Sequence, residues 1–154
     1  MEIFPETLAE DFLRVARLLR RETQQRIAPL GLNPHQSRAL RVIGESGPLR
    51  PSEVAGRLGI VARSATDSIS GLVAAGYVER RTDPADGRAF LLALSESGRA
   101  ALAEVTRARS EVAAELFGRL DPGQRASLAA LLGALIAEPA PTPGGTAPRL
   151  ASRG

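Results

Sequence analysis

Cysteine is absent from the 154 residues, and histidine occurs once, at His35. The first absence excludes disulfides, thiolate metal sites and cysteine-based redox sensing. The second argues against a histidine-rich metal centre. Lysine and tryptophan are missing too, and aromatic residues make up only 3% of the chain, with Tyr77 its single tyrosine. A core must therefore be built from Leu, Ile, Val and Ala, which the 44% hydrophobic content can supply. No apolar run approaches the roughly 18 residues that cross a membrane. The N-terminal stretch is acidic and lacks the basic opening of a signal peptide. These features lead to the expectation of a cytoplasmic protein with no membrane partner.

The net charge is only +3 although the isoelectric point is about 10.8, because every one of the 20 basic residues is arginine. That usage, with abundant Ala and Gly, is a mark of genome composition rather than of function. Any basic surface must come from arrangement rather than from excess. No glycine-rich phosphate loop and no paired carboxylates can be placed, so the sequence offers no catalytic residues, no metal ligands and no cofactor site, and an enzyme is not expected.

Periodicity gives the order of elements. Leu8, Phe12, Val15 and Leu19 recur at helical spacing and predict a helix over Thr7–Ile27, ended by Pro29 and Gly31. Asn33-Pro34-His35-Gln36 is a cap, a first-turn proline and a capping-box glutamine, opening a helix that runs to about Glu45. A short helix over Pro51–Leu58 turns inward Val54 and Leu58. After Gly59, a helix over Arg63–Ala75 buries Ile69, Leu72 and Val73; its start is poorly marked, since Val61 and Ala62 are weak caps and Ser64 a better one. Strand-favouring runs Tyr77–Thr82 and Ala89–Leu94 flank Asp83-Pro84-Ala85-Asp86-Gly87-Arg88, which reads as a hairpin turn. A long helix over Ser95–Leu120 carries Leu102, Val105, Val112 and Leu116, a stripe interrupted by Arg109. Asp121-Pro122 opens a last helix with Leu128, Leu131, Leu132, Leu135 and Ile136 on its apolar face.

The fold class expected is mainly α with a small β-hairpin wing: a winged helix-turn-helix over 33–94, flanked by helical regions at 1–32 and 95–137. The Pro/Gly-rich tail 138–154 has the composition of a disordered segment. The terminal stripes exceed what the central domain can cover, so a homodimer built from both chain ends is expected.

Leu72 to Arg80, Asp83 to Arg88, Leu94 to Gly98 and Glu53 to Gly59, in this order and spacing, resemble the MarR family. These are dimeric bacterial regulators named for multiple antibiotic resistance, and the resemblance covers about Thr7 to Ala137. It implies a sequence-specific transcriptional regulator, a repressor released by a small molecule. The second helix of the motif would lie in the major groove of double-stranded DNA, presenting Arg63, Ser64, Thr66, Asp67 and Ser68. Arg88 would reach the backbone or the minor groove from the wing. Arg81 is divided between a phosphate contact and a surface pair with Asp83. Asp83 or Asp86 would orient the wing arginine, or both would serve as turn formers that bond their own local backbone. Dimer symmetry would match a palindromic operator, with recognition helices roughly 34 Å apart. A small anionic or aromatic effector would be held by Arg14, Arg17 and His35. The family usually has Ser or Thr where Val61 sits, and more basic residues where Asp67 and Gly71 sit. The alternative class is a winged-helix module that binds protein without specific DNA recognition.

Overall fold

The computed structural model describes residues 4–137, which leaves the tail expected over 138–154 outside the described residues. The described chain forms two compact units, one ending at Leu116 and one beginning at Phe117.

The first unit opens with α1, Pro5–Arg26, set by a proline in its first turn. A short 3-10 turn, Ala28–Leu30, leads to α2, Pro34–Ser46. The expected capping box is present: Asn33 Oδ1 accepts from Gln36 N and Gln36 Oε1 from Asn33 N, each at 2.9 Å. The helix-turn-helix follows as α3, Pro51–Leu58, and α4, Ala62–Ala74. Strands β1, Val78–Asp83, and β2, Asp86–Leu94, form an antiparallel hairpin with Val78 opposite Leu94 and Thr82 opposite Phe90. Leu49 bonds both ways to Leu92, at 3.1 and 2.8 Å, which ties the segment before α3 to the wing. The long helix α5, Glu96–Phe117, completes the unit. Among the described residues no helix is long and apolar enough to cross a membrane.

The core is aliphatic, as the shortage of aromatics requires. Leu40, Ile43, Val54, Leu72, Leu92 and Val105 are fully buried, one or two from each of α2, α3, α4, β2 and α5. Each contributes about 1.5–3 kcal/mol by leaving water. Several boundaries differ from those expected. Helix α4 begins at Ala62, with Val61 rather than a serine in the cap position. The hairpin is tighter than the six-residue turn, because Asp83 and Asp86 pair across only Pro84 and Ala85. The inward stripe of α5 is Gly98, Ala101, Val105, Ala108 and Val112, not the larger Leu102 and Leu116. Small side chains let α5 lie close to the core. Arg109 consequently falls off the stripe and is exposed. Partial desolvation, then the nearby Arg41, hold its guanidinium below its ordinary value, with Glu45 opposing.

The start of α5 is fixed on the turn after α4. Ser95 Oγ donates to the Gly76 carbonyl at 2.6 Å, Ser97 Oγ donates to the same oxygen at 2.8 Å, and Ser95 N donates to Tyr77 O at 3.1 Å. Ser95 Oγ also accepts from Gly98 N, capping α5. Gly98 lies directly against this turn: a Cβ there would stand 1.9 Å from the Tyr77 carbonyl oxygen. Tyr77, half-buried, donates its hydroxyl to Leu30 O at 3.0 Å and so joins the same region to the turn after α1.

The second unit contains α6, Pro122–Ile136, opened by a capping box between Asp121 and Gln124. None of its residues is buried; Leu131, Leu135 and Ile136 are 65, 81 and 80% exposed. Helix α1 likewise buries none of its residues, and Phe4, Leu8 and Phe12 at its start are all more than half exposed.

Gly98→Ala should destabilise the chain by about 1–3 kcal/mol in urea unfolding, because the obstructing atom is backbone and cannot rotate away. Gly56→Ala, on the helix of the same unit where no atom lies within 4 Å, should instead stabilise by roughly 0.5–1 kcal/mol. Equal effects from the two substitutions would show that the Gly98 contact imposes no constraint.

Candidate nucleic-acid interface

Helix α4 divides cleanly into two faces. Ala65, Ser68, Ile69 and Leu72 are buried, while Val61, Ala62, Arg63, Ser64, Thr66 and Asp67 are exposed. Four of the five residues expected on the outer face are there. Ser68 is not: it is buried, and its hydroxyl donates back to the Ser64 carbonyl at 3.0 Å. Its position three residues after Ala65 and one before Ile69 places it on the flank of the inward face, and back-bonding satisfies a hydroxyl that has left water. Thr66 makes the same bond to Ala62 O at 2.9 Å, yet stays exposed. Gly71 also faces inward. A Cβ there would stand 2.1 Å from Gln36 Nε2, so the capping glutamine of α2 fills the space where the family often carries a longer side chain.

The wing is organised by one buried carboxylate. Asp83 is 6% exposed. Its Oδ2 accepts from Arg50 Nε at 2.9 Å and Nη2 at 2.6 Å, and its Oδ1 accepts from Ala85 N at 2.8 Å. The Ala85 backbone N–H, then Arg50, hold the carboxyl below its ordinary value. Asp83 therefore orients Arg50, at the start of α3, and not the wing arginine as expected. The cause is the register shift between Thr82 and Asp83, which turns the last residue of β1 inward although Arg80, Arg81 and Thr82 before it are exposed. Asp86 bears on Arg88 only through the backbone, accepting from Arg88 N at 3.1 Å. The Arg88 side chain is left exposed. Arg81 pairs with Glu79, not with Asp83; the two alternate positions share one side of the strand, and Arg81 Nε lies 2.8 Å from Glu79 Oε1. Arg80 stacks over the Phe90 ring, 4.8 Å from its centroid, which anchors the middle of the hairpin.

Sequence reasoning missed Arg50 altogether. Its partner lies 33 residues away, and the local sequence shows only an arginine before a proline.

The three residues expected to hold an effector line neither of two clefts found among the described residues. Arg14, Arg17 and His35 are exposed, and Arg14 lies 3.7 Å from Asp11. A cleft of about 360 Å³ lies between the end of α1 and α5 and is lined by other residues, among them Arg26, Leu30, Glu104, Arg107 and Glu111. Its charges are already matched: Arg26 bonds Glu111 at 3.1 Å and Glu115 at 2.5 Å, and Arg107 bonds Glu104 at 2.5 Å and Glu111 at 3.2 Å. A second, shallower cleft of about 540 Å³ includes Gly44, Leu94 and Leu102. Neither includes Arg14, Arg17 or His35.

Removing the Asp83 charge has a pH signature. The folded carboxyl titrates below its ordinary value of 3.8, so its stabilisation is fully present above that value and is lost as pH falls from there through the lower folded one. Asp83→Asn should melt at a lower temperature than the wild type near pH 7, and the gap should narrow towards about pH 3. A gap constant across that range would refute a charged role for Asp83.

Comparison with known proteins places these features. The profile of the MarR family matches residues 30–89, which span the helix-turn-helix and most of the wing. An HTH-type transcriptional regulator of Mycobacterium tuberculosis is 32% identical over 134 residues, covering 85% of this chain and 94% of that relative. Among solved structures, wild-type MarR of Escherichia coli in its apo form superposes with a TM-score of 0.75 at 26% identity, covering 88% of this chain and 100% of that one. A probable transcriptional regulator from Pseudomonas aeruginosa superposes with a TM-score of 0.70 at 28% identity, over 84% of this chain and 96% of its own. With the winged helix-turn-helix described above, these matches mean that the chain is a DNA-binding transcriptional regulator, not an enzyme, and that it belongs to the MarR family.

Proposed function

We propose that the protein acts as a homodimeric, sequence-specific repressor whose two α4 helices enter successive major grooves of a palindromic operator. The observation that carries this reading is the pairing of two exposed features in one unit. One is the polar outer face of α4, with Arg63, Ser64, Thr66 and Asp67. The other is a hairpin whose Arg88 side chain is exposed while its neighbours Arg80 and Arg81 are engaged by Phe90 and Glu79. Arg63 offers two-pronged donation to guanine or a phosphate, and Asp67 accepts from a cytosine amino group. Arg88 and, secondarily, Arg81 supply the sequence-independent phosphate contacts. The exposed leucines of α6 and the exposed Phe4, Leu8 and Phe12 at the start of α1 support a second copy as their cover. Release by a small anionic or aromatic ligand completes the reading: a ligand that binds more tightly to a helix spacing unsuited to the operator frees the DNA. Exposed Arg14 and Arg17 on α1 and His35 in the first turn of α2 would supply its cationic and ring contacts.

The test is fluorescence anisotropy with duplex DNA from upstream of the protein's own gene and scrambled duplex as competitor. Specific, salt-sensitive binding is expected. Arg88→Ala should weaken binding to all sequences alike and lower the slope of log affinity against log salt by about one phosphate contact. Unchanged binding would remove Arg88 from the interface, and an absence of binding at low salt would favour the protein-interaction module.

For the dimer, light scattering of the wild type should give twice the chain mass of 16.2 kDa. The double substitution Leu8→Glu, Leu135→Glu should give a monomer. A monomeric wild type would overturn this part of the proposal.

A further inference from the structure

A hydrophobic side chain stands where a helix cap belongs. Val61 precedes the first residue of α4 in extended conformation, with φ −65° and ψ 147°, and makes no side-chain hydrogen bond to the helix. Ser, Thr, Asn or Asp there would accept from one of the first backbone N–H groups and hold the helix end more firmly. Val61 is also 71% exposed, and among the described residues every other exposed large hydrophobic lies at the start of α1, within α1, or in α6. In the free chain this valine is thus unfavourable twice over, once towards water and once towards the helix it opens.

The setting indicates what covers it. The exposed residues that follow are Ala62, Arg63, Ser64, Thr66 and Asp67. One large apolar group, with only the small Ala62 beside it among donors and acceptors, does not resemble the broad apolar patch that a protein partner covers. It does resemble the edge of an A·T pair in the major groove, where hydrogen-bonding atoms stand beside a single methyl group. The early residues of the second helix in such a motif are those that reach base edges. Valine has no donor or acceptor with which to read a base, and the C5-methyl of thymine is the one apolar feature the major groove offers.

We propose that Val61 is a specificity-determining residue that packs on the C5-methyl group of a thymine in each operator half-site. The proposal rests on the reading of α4 as the helix that enters the major groove. Val61 departs from the Ser or Thr usual in the family, and the departure exchanges helix capping for recognition of one base.

The experiment begins by enriching duplexes from a randomised library with the full-length wild-type protein. Each thymine of the enriched site is then replaced in turn by deoxyuridine, which removes the methyl group and nothing else. At one position in each half-site, a single replacement should weaken wild-type binding about fourfold, the value of one buried methyl group. The same replacement should leave Val61→Ser unaffected, while Val61→Thr, which keeps a methyl, should retain the sensitivity. Both variants should melt above the wild type because they restore the cap, so lost recognition is not lost folding. Wild-type binding indifferent to every replacement would overturn the proposal, as would an equal loss in Val61→Ser, and either result leaves the DNA-binding reading intact. Failure to enrich any sequence would overturn both.

Discussion

The contact between the first turn of α5 and the Gly76–Tyr77 carbonyls is the constraint on which the remaining structure depends. Three hydrogen bonds from Ser95 and Ser97 converge there, and the missing side chain of Gly98 lets the helix backbone reach the turn. The turn ends α4 and begins β1, so the outward helix, the wing and α5 take their directions from one small region. Tyr77 extends it by bonding the turn that follows α1. The first turn of α5, the end of α4 and the start of β1 are thus held together by direct hydrogen bonds.

Charge in this chain is used locally. Most acids near the interface are consumed by the protein itself: Glu53 accepts from Arg50 N, Asp83 holds Arg50, and Glu79 holds Arg81. Arg63 and Arg88 take part in none of the ion pairs among the described residues. A nearly neutral composition thus leaves an unpaired arginine on the outer face of α4 and another on the wing. The Arg50–Asp83 pair has a different role. It spans the start of α3 and the tip of the hairpin, so the wing is fastened to the helix-turn-helix at its far end as well as through Leu49 and Leu92 at its base.

How much could be read beforehand followed the range of the interaction. The boxes at Asn33 and Asp121 are complete within four residues, and both helices begin where the sequence indicates. The hairpin and the two faces of α4 were legible from turn chemistry and periodicity, which also operate over a few residues. The turn-forming bond of Asp83 to Ala85 N was legible from its neighbours, but its pairing with Arg50 was not, because its inward turn depends on a register shift that no local pattern encodes. Ser68 was misplaced by a fraction of a helical turn, at the edge between faces where periodicity discriminates least. On α5 the periodicity places Val105 and Val112 correctly, whereas close packing selects Ala101 and Ala108 in place of Leu102 and Leu116.

Tyr77 has a practical meaning of another kind. The chain has one tyrosine and no tryptophan, so its near-ultraviolet absorption and intrinsic fluorescence arise almost entirely from a single phenol. That phenol sits between the base of the wing and the turn after α1, with its hydroxyl on the Leu30 carbonyl. The molecule therefore carries its own optical reporter at the junction of the wing with the turn after α1, with no label to attach and no second indole or phenol to subtract.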